Sequence, residues 1–262
     1  MYGFTDTNEI PEQTLGLAMS FGGIYFEEVL SGYKTLNVGG RELIGNELET
    51  ATGKGKDGVT ITGQTLPPRP LTIQYKLDAK SDAECRYNFE TLNFILRKNG
   101  KNNVAIQFTD EPGRTYYGRL QSVDDVPYDR NTVVGTFLLF CEDPYKYGDS
   151  LESIGTSITI GEFCPYDVLP DLITATLSAN ATKITIDNTT TGKHIILNGT
   201  YTAGQVLLVD IANRIITLNG QNIKNNLDYV ESDFRSFVVS PGDVITMTPS
   251  SSMTIAMRGR WL

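Results

Sequence analysis

His194 is the only histidine in the chain, so any serine or cysteine nucleophile with a histidine base would have to use it. It follows Thr191-Gly192-Lys193 and precedes the apolar run Ile195-Ile196-Leu197, which predicts a position at the start of a strand. The sequence has no Gly-x-Ser-x-Gly motif. We interpret His194 as a surface or strand-edge residue, and we predict no catalytic residue and no enzymatic activity.

The three cysteines, Cys85, Cys141 and Cys164, are an odd number and lack the spacing of a metal site. Cys141 ends the apolar run 137–140, where a small buried thiol is expected. Unpaired cysteines of this kind are typical of a protein that folds in a reducing cytoplasm. The cysteines therefore predict neither a disulfide framework nor a metal centre.

Two further clusters could hold an ion or a phosphate. Asp124 and Asp125, with Asp129, could bind a cation, but 126–128 between them has the composition of an ordinary solvated loop. Residues 52–58 are rich in glycine and lysine, yet they lack the Walker pattern and precede no predicted helix. We predict no metal and no cofactor. The only tryptophan, Trp261, is interpreted as a plug in the core of a sandwich.

The net charge is −9, and acidic residues outnumber basic ones in both halves of the chain. Neither half has the basic character expected of a protein that grips phosphates, so direct nucleic-acid binding is not predicted. Residues 1–6 do not resemble a signal peptide. No stretch approaches the roughly 20 apolar residues that cross a bilayer, so we expect no membrane insertion.

The elements that would position these residues are mainly strands. Gly and Pro are plentiful, and 71–77 alternates with apolar residues on one face, which predicts a strand. One helix is predicted, at about 81–99: Ser81 and Glu84 form a capping-box pair, and Gly100 supplies the stop. Residues 46–58 are predicted to be an exposed loop, and the proline run 66–70 is predicted to be extended at a sheet edge or a crossing.

The chain is predicted to have two domains, 1–147 and 148–262, joined near 142–150. The first domain is predicted to be a β-barrel or sandwich-like domain with the one α-helix. Beyond the junction no helix signal is present, and short strands alternate with turns, which predicts a two-sheet β-sandwich or jelly roll. The strands are predicted at 157–160, 175–177, 183–187, 194–197, 205–210, 214–218, 236–239 and 252–257.

The order of several short motifs is more informative than any one of them. Ser-Phe-Gly-Gly (20–23), Gly-Arg-Glu-Leu (40–43), Gly-Lys-Asp-Gly (55–58) and Leu-Pro-Pro-Arg-Pro (66–70) precede the single helix, and Cys-Glu-Asp-Pro-Tyr-Lys-Tyr (141–147) follows it. In this order they resemble the N-terminal domain of the distal tail proteins of siphophages. A Pro-Gly turn at 241–242 before a strand, and the closing aromatic strand, are similar to that family's C-terminal domain.

The resemblance implies a structural hub of a phage tail tip, found in the virion and assembled in the cytoplasm of the bacterial host. It implies that the N-terminal domain forms a homo-hexameric ring and that a galectin-like C-terminal sandwich projects outward. The implied partners are the tail tube protein, a tail-tip protein and receptor-binding or baseplate proteins, with DNA only as passing cargo.

The segment 46–58 corresponds in position to one that reaches towards neighbouring subunits in this family. We therefore predict that it and the proline run lie near subunit contacts, with the interface residues Lys54, Lys56, Asp57, Pro67, Pro68 and Arg69. The alternative function is a carbohydrate-binding or adhesion module, for which Trp261 or the tyrosines Tyr166, Tyr201 and Tyr229 would supply an aromatic platform. A hydrolase is the third alternative.

Overall fold

A computed structural model describes residues 16–55, 57–126 and 131–262. The chain divides into two compact units, residues 1–146 with residue 262, and residues 147–261. Each unit has its own cluster of buried apolar side chains. The protein is mainly β with one long helix, which confirms the predicted fold class.

The first unit is built on one antiparallel sheet of seven strands, in the order β2-β1-β7-β8-β9-β6-β3. A separate hairpin, β4–β5, is outside that sheet. The elements are β1 (Met19–Phe21), β2 (Ile24–Tyr25), α1 (Phe26–Val29), β3 (Tyr33–Gly39), β4 (Glu47–Ala51), β5 (Thr60–Thr65), β6 (Arg69–Asp78), α2 (Asp82–Arg97), β7 (Val104–Phe108), β8 (Tyr116–Val123) and β9 (Thr132–Cys141).

Helix α2 begins where the sequence predicts. The Ser81 hydroxyl accepts a hydrogen bond from the Glu84 backbone N–H at 3.2 Å. The Glu84 carboxylate accepts from the Lys80 N–H at 2.6 Å, one residue earlier than in the usual capping box. Leu92 and Leu96 face the core, and Phe89 packs against it. The helix ends at Arg97 and Gly100 follows in the left-handed conformation, because glycine adopts positive φ at little cost.

Strand β6 is an interior strand of the sheet, and it begins with the last two residues of the proline run, which was predicted to lie at a sheet edge or a crossing. It pairs with β9 over its whole length and with β3 only from Thr72 onwards. Pro70 therefore has a neighbouring strand on one side only, where a missing backbone N–H costs least. A further difference is α1, a four-residue helix that the sequence analysis did not predict.

The predicted loop 46–58 is also corrected. Its first part is strand β4, which pairs with β5 to form the two-stranded hairpin. Both strands of the hairpin are exposed. Neither strand therefore has the alternation of apolar and polar residues that predicts a strand, and the polar composition indicated a loop instead. Only the turn between them remains irregular.

The second unit is a sandwich of two sheets, as predicted. One sheet has the order β10-β19-β12-β15-β16-β17 and the other has the order β11-β18-β13-β14. The elements are β10 (Lys146–Gly155), β11 (Ser157–Thr159), β12 (Leu172–Thr176), β13 (Ala181–Asn188), β14 (Lys193–Tyr201), β15 (Val206–Asp210), β16 (Ile215–Leu218), β17 (Gln221–Asn222), a 3₁₀ helix (Lys224–Asn226), β18 (Val244–Thr248) and β19 (Met253–Trp261).

Two features of this unit differ from the prediction. Residues 236–239 form no strand and contribute only one bridge, between Val239 and Val168. Strand β10 occupies part of the segment predicted as a junction, whereas β18 follows the Pro241-Gly242 turn as expected. Phe237 and Val239 are buried in the core of the sandwich without forming part of a ladder, so their apolar character made this segment resemble a strand.

Candidate assembly site

Residues 40–68 connect β3 to β6 and contain the β4–β5 hairpin; we call them the arm. All five residues of β4 are exposed, and no residue of β5 is buried. An isolated two-stranded hairpin is marginally stable in water, because it buries little apolar surface. Within the described parts of the subunit, the hairpin of the arm therefore has no packing partner that buries it.

The pairing register gives the hairpin two different faces. Leu48 pairs with Gln64, and Thr50 pairs with Ile61. Since directly paired residues lie on the same side of an antiparallel ladder and residues two apart share a side, these four side chains form one face. Leu48 and Ile61 are 51% and 58% exposed there, so this face is apolar at its centre and open to a partner.

The opposite face of the hairpin is acidic. It carries Glu47 and Glu49, which pair with Thr65 and Gly63 respectively. The Glu49 carboxylate lies against Gly63, where an added Cβ would be 2.7 Å from Oε2. The two faces of the arm therefore differ in chemistry: one can bury apolar surface and the other repels anions.

The two ends of the arm meet where β3 ends and β6 begins. We call this point, formed by Gly40, Arg41 and Arg69, the neck. Arg69 is 1% exposed. Its Nη1 donates to the carbonyl oxygen of Gly40 at 2.9 Å, and its Nε donates to that of Pro144 at 2.7 Å. Gly40 has φ +91°, and an added Cβ would lie 2.1 Å from the Pro70 oxygen. Arg69 thus ties the start of the arm to its end, and only glycine fits at the start.

Arg41 makes the second anchor of the neck. Its two Nη atoms donate to the two carboxylate oxygens of Asp110 at 2.7 and 2.8 Å, the forked geometry that arginine makes best. Its guanidinium carbon lies 4.8 Å from the centre of the Phe108 ring. The hydrogen bond from Arg41 lowers the pKa of Asp110, and the same bond raises the pKa of Arg41.

A group of polar side chains lies beside the guanidinium of Arg69, next to Tyr116. The Tyr116 hydroxyl donates to Glu111 Oε2 at 2.9 Å, and Lys146 forms an ion pair with the same carboxylate. Burial raises the pKa of Tyr116, and the hydrogen bond to Glu111 raises it further. Cys141 is fully buried, and burial raises the pKa of its thiol to about 12. These groups support the neck and are not arranged as a reactive centre.

The predicted interface residues do not lie in one place. Lys54 and Asp57 are exposed at the turn of the hairpin, and Pro68 is exposed after β5, while Pro67 is half-buried. Lys56 lies outside the described residues. The guanidinium of Arg69 is buried and already donates to two carbonyls of its own subunit, and its place near a subunit contact stays a prediction.

The residues that form the apolar face and the base of the arm were not among the predicted interface residues. Leu48 and Ile61 provide its apolar face, and Gly40 and Arg41 belong to a motif that was noted without a role. The sequence did contain a signal for the burial of Arg69. Buried and exposed residues alternate along β6, and extending this alternation from Leu71 back by two residues places residue 69 on the buried face. No comparable signal was available for the hairpin, since its pairing depends on a bulge.

The residues considered for catalysis do not assemble. His194 lies at the start of β14, where its Nδ1 is 3.2 Å from the Gly192 carbonyl oxygen. Cys164 is in the same unit, but it is buried, and its Sγ donates to the backbone carbonyl oxygen of Tyr166 at 3.1 Å. Within the described parts of the chain, no three His, Cys, Asp or Glu side chains cluster as metal ligands do.

Asp124 and Asp125 line a cavity of about 480 Å³ between α2 and the sheet, beside Phe89, Leu92 and Phe137. Asp129, the third carboxylate of the possible cation site, lies outside the described residues. Over the ranges that the structure describes, no helix has the length and apolar character needed to cross a bilayer.

The aromatic residues considered for sugar binding have different environments. Trp261 packs against the sandwich core, as predicted. Tyr201 is buried and accepts a hydrogen bond from Asn226, and Tyr166 is half-buried. Tyr229 is 65% exposed, so it is the one of these four with an open ring.

Comparison with known proteins agrees with the architecture. Residues 28–141 match the family model for the phage tail protein RIFT-related domain. Residues 166–261 match that for the C-terminal domain of the siphovirus-type tail component. The distal tail protein of Bacillus phage SPP1 is 31% identical over 202 residues, which are 75% of this chain and 79% of that protein.

A solved structure shows the same fold. The crystal structure of the SPP1 Dit protein, described as a paradigm of the hub adsorption apparatus in phages that infect Gram-positive bacteria, superimposes with a TM-score of 0.80. The sequences are 25% identical, and the match covers 94% of this chain and 99% of that one. With both domains matched and in the same order along the chain, this chain belongs to the family of siphovirus distal tail proteins.

Proposed function

We propose that this protein is a non-catalytic structural hub of a phage tail tip, and that six copies close into a ring through the arm. The observation that carries the proposal is the exposed apolar face of the β4–β5 hairpin, which no described residue of its own subunit buries. Membership of the distal tail protein family supports the hub.

The arm suits a ring-closing contact. In a ring, each subunit uses one surface towards the next subunit and a different surface towards the previous one. The arm of one copy would bury Leu48 and Ile61 against a neighbouring copy, which supplies the surface that the hairpin lacks. Arg69 and Arg41 hold the base of the arm, so its direction is fixed before assembly and less order has to be gained on binding.

The implied partners follow from a position between the tail tube and the tip. We propose contacts with the tail tube protein on one side, and with a tail-tip protein and receptor-binding or baseplate proteins on the other. Assembly would take place in the bacterial cytoplasm, and the mature location would be the virion tail tip. DNA would pass through the ring without binding, since the subunit has a net charge of −9 and repels phosphates.

The test compares two faces of one hairpin. Leu48→Asp combined with Ile61→Asp puts charge on the apolar face, and we expect it to abolish the hexamer while leaving a folded monomer. Burying an unpaired charge costs several kcal/mol, which exceeds what such a contact contributes. Mass from light scattering, with negative-stain images of the peak, measures the outcome.

The control places one added charge on the other side of the hairpin, and it is compared with Ile61→Asp alone, which adds the same charge to the apolar face. Thr60→Asp lies opposite Ala51, on the acidic face, and we expect rings to form as in the parent protein. If the parent protein forms rings only with its tube partner, the comparison is made in that mixture. Rings of normal size with both Leu48 and Ile61 replaced would show that the arm does not hold the ring together.

A further inference from the structure

One surface pocket in the second unit concentrates positive charge in an otherwise acidic part of the chain. Arg214, Lys224 and Arg235 line a pocket of about 410 Å³. They are distant along the sequence and belong to the β15–β16 turn, the 3₁₀ helix and the segment 228–236. The fold therefore gathers them, although residues 147–261 hold more acidic than basic side chains.

The positive charge of this pocket is not neutralised by ion pairs. Among the described residues, none of the three cationic side chains is part of a salt bridge, whereas Arg41, Lys146 and other cations are paired. One carboxylate, that of Asp233, also lines the pocket, and it accepts the His194 backbone N–H at 3.2 Å. Among the lining residues three cations therefore stand against one carboxylate, while Asp228 and Glu231 lie on the same segment outside the lining.

The pocket also has an apolar floor and an open aromatic ring. Leu227 and Phe234 are buried at its base, and Tyr229 is 65% exposed at its rim. Sugar rings present C–H faces that pack on aromatic and apolar surfaces, while their anionic substituents require cationic donors. A simple anion would use the cations and leave the floor and the ring without a role.

The segment that forms the rim is held in place before any ligand binds. The Asp228 carboxylate accepts the backbone N–H groups of Val230 and Glu231, each at 3.1 Å. The Ser232 hydroxyl accepts the Ile196 N–H at 2.9 Å. Binding sites of this kind are usually largely preformed, because ordering a loop on binding reduces affinity.

Arg214 occupies a position where arginine is unfavourable for the fold. Its φ is +57°, a left-handed conformation that asparagine or glycine adopts with less strain. An arginine there costs stability and returns nothing by an ion pair within the described chain. Such strain is typical of functional sites, which adds an independent reason to assign this residue to a ligand.

We propose that this pocket binds an anionic saccharide, a sugar unit that carries a phosphate or carboxylate. Arg214, Lys224 and Arg235 would hold the anionic group, and Tyr229 would pack against the sugar ring. The unit could be part of a polymer or a free sugar phosphate, which share this chemistry. The site does not depend on the arm and is independent of ring formation.

The test measures binding to the full-length protein by calorimetry. The probes are phosphorylated dextran, unmodified dextran, glucose 6-phosphate, inorganic phosphate and a hexaglutamate peptide. We expect the two phosphorylated sugars to bind and unmodified dextran not to bind. Tighter binding of phosphorylated dextran than of glucose 6-phosphate would identify a polymer as the ligand, and equal binding would identify the free sugar phosphate.

Substitutions distinguish binding in this pocket from attraction of an anion by the charge of the whole protein. Arg214→Asn, which suits the left-handed backbone, and Arg235→Gln should each weaken binding about tenfold, the scale of one hydrogen bond to a charged group. Arg86→Gln removes the same charge at an exposed position of helix α2, outside the pocket, and should leave binding unchanged. Tyr229→Ala should weaken binding, and Tyr229→Phe should retain it.

Four results would overturn the proposal. The first is no binding of either phosphorylated sugar. The second is inorganic phosphate binding as tightly as glucose 6-phosphate, which would indicate a site for a simple anion. The third is equal binding of hexaglutamate, which would indicate an acidic protein segment as the partner. The fourth is an equal loss of binding in Arg86→Gln, which would indicate charge attraction by the whole molecule.

Discussion

Arg69 holds both ends of the arm at one point of the N-terminal unit. Its guanidinium is buried, donates to the Gly40 and Pro144 carbonyl oxygens, and lies 6.0 Å from the centre of the Tyr116 ring. Two donor atoms of the guanidinium are thereby used, while Nη2 is buried without a hydrogen-bond partner among the described residues. Hydrogen bonds of this kind offset the several kcal/mol that an unpaired charge in the interior costs, so we expect Arg69 to act through the structure of its own subunit.

We predict that Arg69→Ala lowers the free energy of unfolding of the N-terminal unit by about 3 kcal/mol, since it leaves two buried carbonyls unpaired and opens a cavity. Urea unfolding followed by tyrosine fluorescence measures the change. Arg86→Ala, at an exposed position of α2, should change it by less than about 0.5 kcal/mol. A loss of ring formation in Arg69→Ala with unchanged stability would instead place Arg69 at the interface.

The hairpin and helix α2 obtain their stability in different ways. The helix has a cap at its start, acidic residues in its first turn and a buried face that includes Leu92, Ile95 and Leu96, so its stability is local to the unit. The β4–β5 hairpin buries no side chain within the described chain. It is therefore the element whose stability should rise most on assembly.

We predict that Ser81→Ala lowers the free energy of unfolding by about 1 kcal/mol, because the Glu84 N–H loses its acceptor at the start of the helix. Ser81→Asp should retain stability, since aspartate accepts the same bond and interacts favourably with the helix dipole. Urea unfolding of both variants beside the parent protein measures the difference. Equal stability of all three proteins would show that water satisfies this N–H as well as Ser81 does.

At the scale of the whole molecule, the two units have separate cores with no residue in common. The arm belongs to the first unit, and the cationic pocket belongs to the second. The proposed ring contact and the proposed ligand site therefore lie in different units. This division suits a hub, in which one domain fixes the protein in the tail and the other remains open to further contacts.

We predict that a fragment spanning residues 147–262 folds and stays monomeric at concentrations where the full chain forms rings. It contains the whole core of the second unit and lacks the arm. Circular dichroism with a thermal transition tests folding, and light scattering measures the mass. Rings or higher oligomers of this fragment would transfer the assembly role to the sandwich.

The sequence determined those features that depend on local patterns. The alternation at 71–77 placed β6, and Ser81, Glu84 and Gly100 fixed the limits of α2, because strand and helix periodicity and helix caps act over a few residues. The order of the short motifs was enough to indicate the family, and alternating patterns with turns predicted the sandwich.

The tertiary structure decided the features that depend on contacts between distant residues. The neck joins residue 40 to residue 69, the hairpin gains its two faces from a bulged register, and Arg214, Lys224 and Arg235 meet only in the folded sandwich. Arg69 was predicted to lie near a subunit contact together with the rest of the proline run, and only the fold shows that its guanidinium is buried with two carbonyl acceptors. Which charges are buried and which gather at a surface depends on packing, and short-range patterns do not contain that information.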